Sequence, residues 1–569
     1  MVGFGELADP ADDSAGSASD LDLRQDLAWI LVLVLLAWGV RLGTFVRTSV
    51  IVNDGPTFLG ISQKMLDGNW LEALSAHQHP GYPLVTAGLS QWVGDLQTAG
   101  EWVSLVSGSL AVAALYFFLI QAWNRRVAVF GAFLLAINAY AARLSADVQS
   151  DSLYLLLFLS SIGLLFGALR GQRTALAFGA GLVSGLAYCV RPEGLGVVVV
   201  GFGLSLASWL RGTWTTKTFA RWLVTLCSGA AIIVLPYLLF LRELTGSFTF
   251  SQKKSVLLML GWGDDKDRSS DLFAAASGGD VLAWLGLGFL FGLLMLGALI
   301  WIRRGRLARI RVGPTALLFG WLIFGVLGFV VRPSEAADLL AVVVSTVRPE
   351  VALLVAIGIA SRSRVDPSAR SLFVVTVLSL YALVFVGLLL SYGYVVRRHV
   401  LPPLSLLLGY AGAGAWIFVG WIEAGLSRRG GFWARLAPRS AVLLIALIAL
   451  IALPKVWRDH RSEQVASRRA AEWMAAEAQG QGMMASDRMK HGWYAQREWR
   501  SATFGGQPIA WSVLYENGVR WILVDSLATD RLEDVSENVG SEVAPFDSVE
   551  RYRVQNGSRR AVVWELVPR

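Results

Sequence analysis

Nine charged side chains of this 569-residue chain stand where only chemistry or pairing would keep a charge. Asp54, in IVNDGPTFLG, follows directly on an apolar run, at a depth where a carboxylate is costly unless it is solvated, paired or used. It suits a general base, and equally the N-cap of a helix beginning at Gly55, because Asp is a favoured cap residue. Asp147 and Asp151, in ARLSADVQSDSLYLLLF (142–158), lie four residues apart. On a helix they share one face, fit to bind a divalent cation or another polar ligand, and they also complement a helix N-terminus. Arg191 and Glu193, in YCVRPEGLG (188–196), sit between two apolar runs with almost no loop. An Arg there suits a phosphate, or an acid from another loop. Lys253 and Lys254 in RELTGSFTFSQKKS, and Arg397, Arg398 and His399 in SYGYVVRRHVLPPLS, complete the basic set. Together these acids and cations suit transfer of a group from a phosphate-linked lipid: an acid deprotonates the acceptor, and cations stabilise the leaving phosphate.

The elements that must position them are membrane helices. Hydrophobic residues make up 55% of the chain and charged ones 16%, and the mean hydropathy is +0.53. A soluble chain of this length has no means of hiding so much apolar surface, so an ordinary cytosolic enzyme is excluded. Apolar runs of about 18 to 25 residues each match a helix crossing a bilayer core of ~30 Å. Spans are expected near 27–46, 103–121, 127–142, 152–169, 174–190, 194–210, 220–241, 281–301, 314–331, 339–360, 371–391, 400–422 and 440–454, thirteen in all. The tenth is interrupted by Arg348, Pro349 and Glu350, as a short or re-entrant helix would be. Segment 57–67 carries Phe58, Leu59, Ile61, Met65 and Leu66 at helical spacing, the pattern of an amphipathic helix lying on the bilayer.

Charge sets the orientation. With the N-terminus inside, six connections (124–126, 170–173, 211–221, 303–311, 362–370 and 428–439) carry nineteen Lys and Arg and one acid, Asp366. That bias marks cytoplasmic loops. It places the long loops 47–102 and 242–280, and all the groups above, on the extracytoplasmic side of a plasma (inner) membrane. Net charge +8 therefore reads as topology, and no nucleic-acid partner is expected. Cys189 and Cys227 lie in apolar runs and read as packing residues. Residues 1–26 form an acidic, disordered cytoplasmic tail in this reading, 27–454 the membrane domain, and 455–569 a small soluble extracytoplasmic α/β domain. In the last, 462–480 is helical, and VRWILVD (519–525) and RRAVVWELV (559–567) are strands.

The order of NDGPTF, HPGYP, the acid-bearing loop before an apolar span, GLAYCVRPEGL, RRHVLPPLSLL and a soluble tail resembles the GT-C membrane glycosyltransferases. More narrowly, it is similar to the family 39 protein mannosyltransferases and the aminoarabinose-transferase-like enzymes, over about residues 1–455. The resemblance implies an all-α polytopic fold with a small C-terminal domain. It also implies transfer of a sugar from a polyprenyl-phosphate carrier to an extracytoplasmic lipid, glycan or protein of the cell envelope. By motif position it makes Asp54 catalytic and gives donor binding to Arg191, Arg398 and Asp151, or Asp147 in its place. Arg397, Lys253, Lys254, Glu193 and His79 of HPGYP join them as phosphate or substrate contacts. A divalent cation shared by Asp54 with Asp147 or Asp151 is the one cofactor these residues allow. Two features depart from the family: Gly55 stands where many relatives carry a second acid, and His399 where an aromatic residue is usual. The WWDYG signature of oligosaccharyltransferases has no counterpart. The competing expectation is a secondary transporter or lipid flippase with Arg348 and Glu350 on its path.

Overall fold

A computed structural model of the protein describes residues 18–246, 251, 333–360, 368–392, 396–429, 431–478, 482–504, 507–525, 545–557 and 559–569. The expected spans at 281–301 and 314–331, and Lys253 and Lys254, lie outside the described residues.

The chain is a multi-pass helical membrane protein with a small C-terminal sheet domain. Its membrane part runs α1 (Ala18–Phe45), α2 (Gly55–Leu66), α3 (Trp70–Leu74), α4 (Gly81–Val93), α5 (Leu96–Ala122), α6 (Arg125–Ala136), α7 (Ala139–Ser145), α8 (Asp151–Gly171), α9 (Thr174–Val190), α10 (Gly196–Leu210) and α11 (Thr216–Thr245). After the break come α12 (Pro333–Val347), α13 (Pro349–Ala360), α14 (Ser368–Tyr392), α15 (Arg397–Ser405), α16 (Leu408–Arg429), α17 (Gly431–Leu436) and α18 (Ser440–Val456). Among the described residues six helices are long and apolar enough to cross a bilayer, or nine if each bent pair is one span, with Thr174–Val190 and Arg370–Ala382 shorter apolar helices. Every expected span within the described residues coincides with one of these helices or bent pairs.

The bends have local causes. Between α6 and α7 the chain turns by 60° at Asn138, whose side chain accepts from the N–H groups of Tyr140 and Ala141 and so starts a new helix. The turn leaves the Ala136 carbonyl without a helical partner, and the buried Arg41 of α1 donates to it at 3.0 Å. Pro402 and Pro403 lie inside α15 and remove two of its i→i−4 hydrogen bonds, and the chain bends 60° from α15 into α16. Between α12 and α13 the turn is 86°, and Arg348 and Glu350 pair across it. Small residues set the closest helix contacts. A Cβ on Gly181 of α9 would lie 2.0 Å from the Leu226 carbonyl oxygen of α11, so only glycine permits that approach.

Two expectations are revised. Helix α1 begins at Ala18, so the tail expected over 1–26 gives way to helix before Asp26, which is pinned by Tyr116 (2.9 Å) and Arg125 (2.5 Å). The apolar face of α2 does not lie on lipid either. Phe58, Leu59, Ile61 and Met65 are buried in the protein, Ser62 donates to the Pro83 carbonyl at 3.0 Å, and Phe58 meets Tyr82 edge-on. Of that face Leu66 alone is exposed, and the other exposed large apolar side chains of this region belong to α3 and α4: Trp70, Leu71, Leu84, Val85, Trp92 and Val93. Helical periodicity marks an apolar face, and that face packs equally well on protein or on lipid.

The C-terminal unit contains α19 (Val465–Ala476), β1 (Met483–Ser486), α20 (Met489–Ala495), β2 (Trp499–Ser501), β3 (Thr503–Phe504), β4 (Gln507–Pro508), α21 (Trp511–Glu516), β5 (Val519–Asp525), β6 (Phe546–Asn556) and β7 (Arg559–Pro568). Its five-stranded sheet has the order β2-β1-β5-β7-β6, with β1 parallel to β2 and β5, and β7 antiparallel to β5 and β6. The apolar run of VRWILVD makes β5 central, with every residue but Arg520 buried. Helix α19 covers one face, where Trp473 stacks on Tyr552 at 4.8 Å.

Candidate active site

The loop end of the bundle that carries Asp54 also carries Asp147, Asp151, Arg191 and Arg398, and the C-terminal unit sits on it. Asp54 occupies the N-cap position of α2, yet its side chain makes no capping bond. Its Oδ2 instead accepts from Arg398 Nη1 at 2.6 Å, across 344 residues of sequence. Both groups keep solvent contact, with side-chain exposures of 38% and 29%. Asp54 is held there by the turn before Pro56 at the start of α2, and Arg398 by the first turn of α15.

A second pair lies beside the first. Arg191, the residue that ends α9, places Nη2 2.8 Å from Oδ1 of Asp151, the first residue of α8, with both side chains largely buried. Its Nε donates to Ser150 Oγ at 3.3 Å, and the guanidinium lies over the Tyr154 ring. Arg398 is within electrostatic reach of Asp151 as well as Asp54, so it sits between the two carboxylates. Tyr140, near the start of α7, feels Asp151, Arg398, Arg397 and Arg191 together. Nothing in NAYAARL draws attention to this tyrosine in the sequence. The signal that places it is the Asn138 cap two residues before it.

Asp147 is engaged elsewhere. Only 2% exposed, it accepts from the N–H groups of Val52 and Val148, each at 2.9 Å, and from Arg461 Nη2 at 2.5 Å. The three acids named above for a shared cation each face a different arginine: Asp54 with Arg398, Asp151 with Arg191, Asp147 with Arg461. Among the described residues no three His, Cys, Asp or Glu side chains are grouped to hold a metal. Glu193 does not take Arg191: its Oε2 is buried without a hydrogen bond, and its backbone carbonyl accepts from Tyr381 at 3.4 Å. His79, 3% exposed, bonds Ser251 Oγ at 3.1 Å and packs edge-on against Tyr188 and Tyr237. Arg397 is exposed and donates to Ser345 at 3.0 Å.

The segment leading to Asp54 is gripped by the C-terminal unit. Arg461 bonds the Val50 carbonyl (2.6 Å), Arg468 the Ser49 carbonyl (2.6 Å), and the Tyr494 hydroxyl accepts from Ile51 N–H (3.0 Å). Thr48 and His460 form a short parallel bridge, with Ser49 N–H donating to the His460 carbonyl at 3.1 Å. Arg461 adopts a left-handed backbone, φ 57°, a conformation costing about 1 kcal/mol or more that persists only where its surroundings impose it. Burial and the Arg143 and Arg461 charges push the His460 imidazole down to about 4, so the ring beside this backbone bridge is neutral at neutral pH.

A bundle of membrane helices with a small domain seated on the loops at one end is a GT-C fold, as the likeness to solved proteins of that fold shows. Residues 77–240 match the sequence profile of the dolichyl-phosphate-mannose-protein mannosyltransferase family. Among solved structures the chain is similar to ArnT from Cupriavidus metallidurans in the apo state, at 13% identity and TM-score 0.54, covering 94% of this chain and 98% of that one. The same protein bound to undecaprenyl phosphate gives 14% identity, TM-score 0.51 and coverages of 94% and 97%. The oligosaccharyltransferase of Archaeoglobus fulgidus, in its apo form, matches at 14% identity and TM-score 0.55, covering 92% of this chain and 73% of that one. Comparison with curated proteins gives no significant match.

Proposed function

We propose that this protein is a membrane glycosyltransferase that moves a sugar from a polyprenyl-phosphate carrier to an acceptor on the extracytoplasmic side. The observation that carries the reading is the Asp54–Arg398 pair with Arg191–Asp151 beside it, four residues from distant parts of the chain gathered at one end of a GT-C bundle. Arg398 and Arg191 hold the donor phosphate, since a guanidinium presents paired donors to phosphate oxygens. When the phosphate takes Arg398, Asp54 is released to accept the proton of the acceptor hydroxyl. That oxygen bonds to the sugar's anomeric carbon, the anomeric carbon–phosphate oxygen bond breaks, and the electron pair leaves on the polyprenyl phosphate. The likeness to ArnT, solved with undecaprenyl phosphate, supports a carrier of this class. Arg348 and Glu350, the charges a transporter would use, pair with each other at the α12–α13 turn.

The test incubates detergent-purified protein with radiolabelled polyprenyl-phosphate sugars and an envelope extract of its host. Label leaves the carrier with wild-type protein and stays on it with Asp54→Asn. Folded wild-type protein that releases no label from any carrier overturns the reading. Orientation is tested in a Cys189→Ser/Cys227→Ser background with a membrane-impermeant maleimide on intact cells: Arg500→Cys is labelled and Arg429→Cys is not, and the reverse pattern overturns the assignment of sides.

A further inference from the structure

A cavity of about 730 Å³ lies between the first loop and the C-terminal unit, outside the Asp54–Arg398–Asp151–Arg191 group but beginning at Pro56, two residues beyond Asp54. That volume falls in the ~300–1,000 Å³ range of small-molecule sites. Its walls come from three parts of the chain: the start of α2, the start of α5 with Asp95 and Gln97, and α19–α20 with the turn into β2. The geometry points to a saccharide-binding site that takes the carbohydrate part of the acceptor, an inference that rests on the transferase reading above.

Its chemistry favours a neutral, hydroxyl-rich ligand. Trp493 and Trp499 are half-buried, and their indole N–H groups are committed, to Gln97 Oε1 at 3.3 Å and Ser486 Oγ at 2.9 Å. The rings are thereby held before a ligand arrives, and a rigid aromatic face is what the C–H face of a pyranose packs against. Around them, Asp95 uses Oδ2 to cap α5 at Thr98 N–H (2.7 Å), and Glu472 uses Oε1 to pair with Arg468 (2.7 Å). Each keeps a second oxygen for a hydroxyl. Gln496 adds an exposed amide at a left-handed position (φ 50°) that ends α20. Of the charged groups on the walls, Asp95 and Glu472 oppose a phosphate ligand, and the Arg497 guanidinium is engaged with the Gly482 and Ala478 carbonyls at 3.3 and 3.1 Å. The edge strand β2 is three residues long, too short to template an extended peptide.

The experiment uses full-length protein in detergent and saturation-transfer NMR with four tetrasaccharides (of α-1,4-glucose, β-1,4-N-acetylglucosamine, α-mannose and arabinofuranose) and one Ser/Thr-rich dodecapeptide, with no donor present. At least one tetrasaccharide binds with a Kd below about 1 mM, a weak affinity of some 4 kcal/mol. Trp493→Ala weakens it at least tenfold and Trp493→Phe less than threefold. Should Trp493→Ala not fold, Gln496→Ala and Asp95→Asn carry the test, since Asn keeps the helix cap; each weakens binding threefold or more. Failure of all four sugars to bind, sugar binding indifferent to these substitutions, or binding of the peptide alone overturns the inference. Because binding is read without donor, carrier-dependent transfer that persists without saccharide binding defeats only this site, and binding without any transfer defeats only the transferase reading.

Discussion

Replacing Asp147 probes how firmly the C-terminal unit holds the loop that ends in Asp54. The carboxylate is 2% exposed and accepts three hydrogen bonds, two from backbone N–H groups and one from Arg461. Asp147→Ala leaves those N–H groups and the guanidinium without their acceptor. Breaking a buried ion pair from one side costs about 3–5 kcal/mol. The lower end applies here, because Arg461 is 27% exposed and keeps its 2.6 Å bond to the Val50 carbonyl. Asp147→Asn keeps Oδ1, the acceptor of both N–H groups, but replaces the oxygen facing Arg461 with an amide NH2 and loses the charge, for about 1.5–3 kcal/mol. Val52 is two residues before Asp54, so loosening its N–H lets the base shift, and a displacement of about 1 Å is worth about 10²-fold in rate. Thermal unfolding in detergent and the carrier-release assay read the two effects. Both variants unfold at lower temperature, and Asp147→Ala, which frees the Val52 N–H, transfers about ten- to a hundredfold more slowly. In a double-mutant cycle with Arg461→Gln the two losses are not additive, with a coupling of at least about 1 kcal/mol. Wild-type stability and transfer in Asp147→Ala, or additive losses, would refute the argument.

Arg398→Ala lowers transfer about 10²- to 10³-fold at saturating donor, and Arg398→Lys recovers only part of it, because an ammonium lacks the planar fork; equal rates for Lys and Arg would remove Arg398 from the phosphate. His491 in α20 is 1% exposed, and burial, with Lys490 and Arg488 adding to it, pushes its imidazole down to about 3. Its ordinary value is ~6.5, so the unfolded chain takes the proton first as pH falls. The stability it contributes is full above ~6.5 and is lost between 6.5 and 3, about 2 kcal/mol of it by pH 5. Melting temperature therefore declines from pH 7 to 5, and His491→Leu flattens that decline; an unchanged slope in the variant sinks the assignment. Gly181→Ala drives a methyl into the Leu226 carbonyl and costs about 1–3 kcal/mol, whereas Gly179→Ala, whose Cβ would meet nothing nearer than 3.7 Å, is neutral or stabilising. Equal melting temperatures for the two would refute the close contact of α9 and α11.

The membrane helices were legible because each needs an apolar run of bilayer length, and the α12–α13 break because Arg348-Pro349-Glu350 has no place in such a run. At Asp54, composition allowed both cap and base; only the coordinates show the side chain turned from the helix toward Arg398. The acid that Arg191 meets is Asp151 and not the nearby Glu193, a choice made by where α8 begins relative to the end of α9. Arg461 carried no signal in WRDHRSEQ, since its role comes from a strained backbone and a partner 314 residues away. The burial of α2 was hidden because a hydrophobic stripe has the same pattern against α4 as against lipid.

The three arginine–carboxylate pairs divide the work that their shared composition obscured. Asp147 is enclosed: its other bonds go to backbone, and its pair with the partly exposed Arg461 joins the loop to the C-terminal unit. Asp54 and Arg398 are more than a quarter exposed, and neither is tied into a helix end by a capping bond. Separating them costs less than breaking the Asp147 pair, because both partners stay partly solvated whereas Asp147 does not. In the proposed reaction a phosphate at Arg398 therefore displaces the weaker partner, while the loop that carries Asp54 stays anchored through Val50, Ile51 and Val52. Burial thus sorts the pairs, with an anchored loop on one side of Asp54 and a replaceable guanidinium on the other.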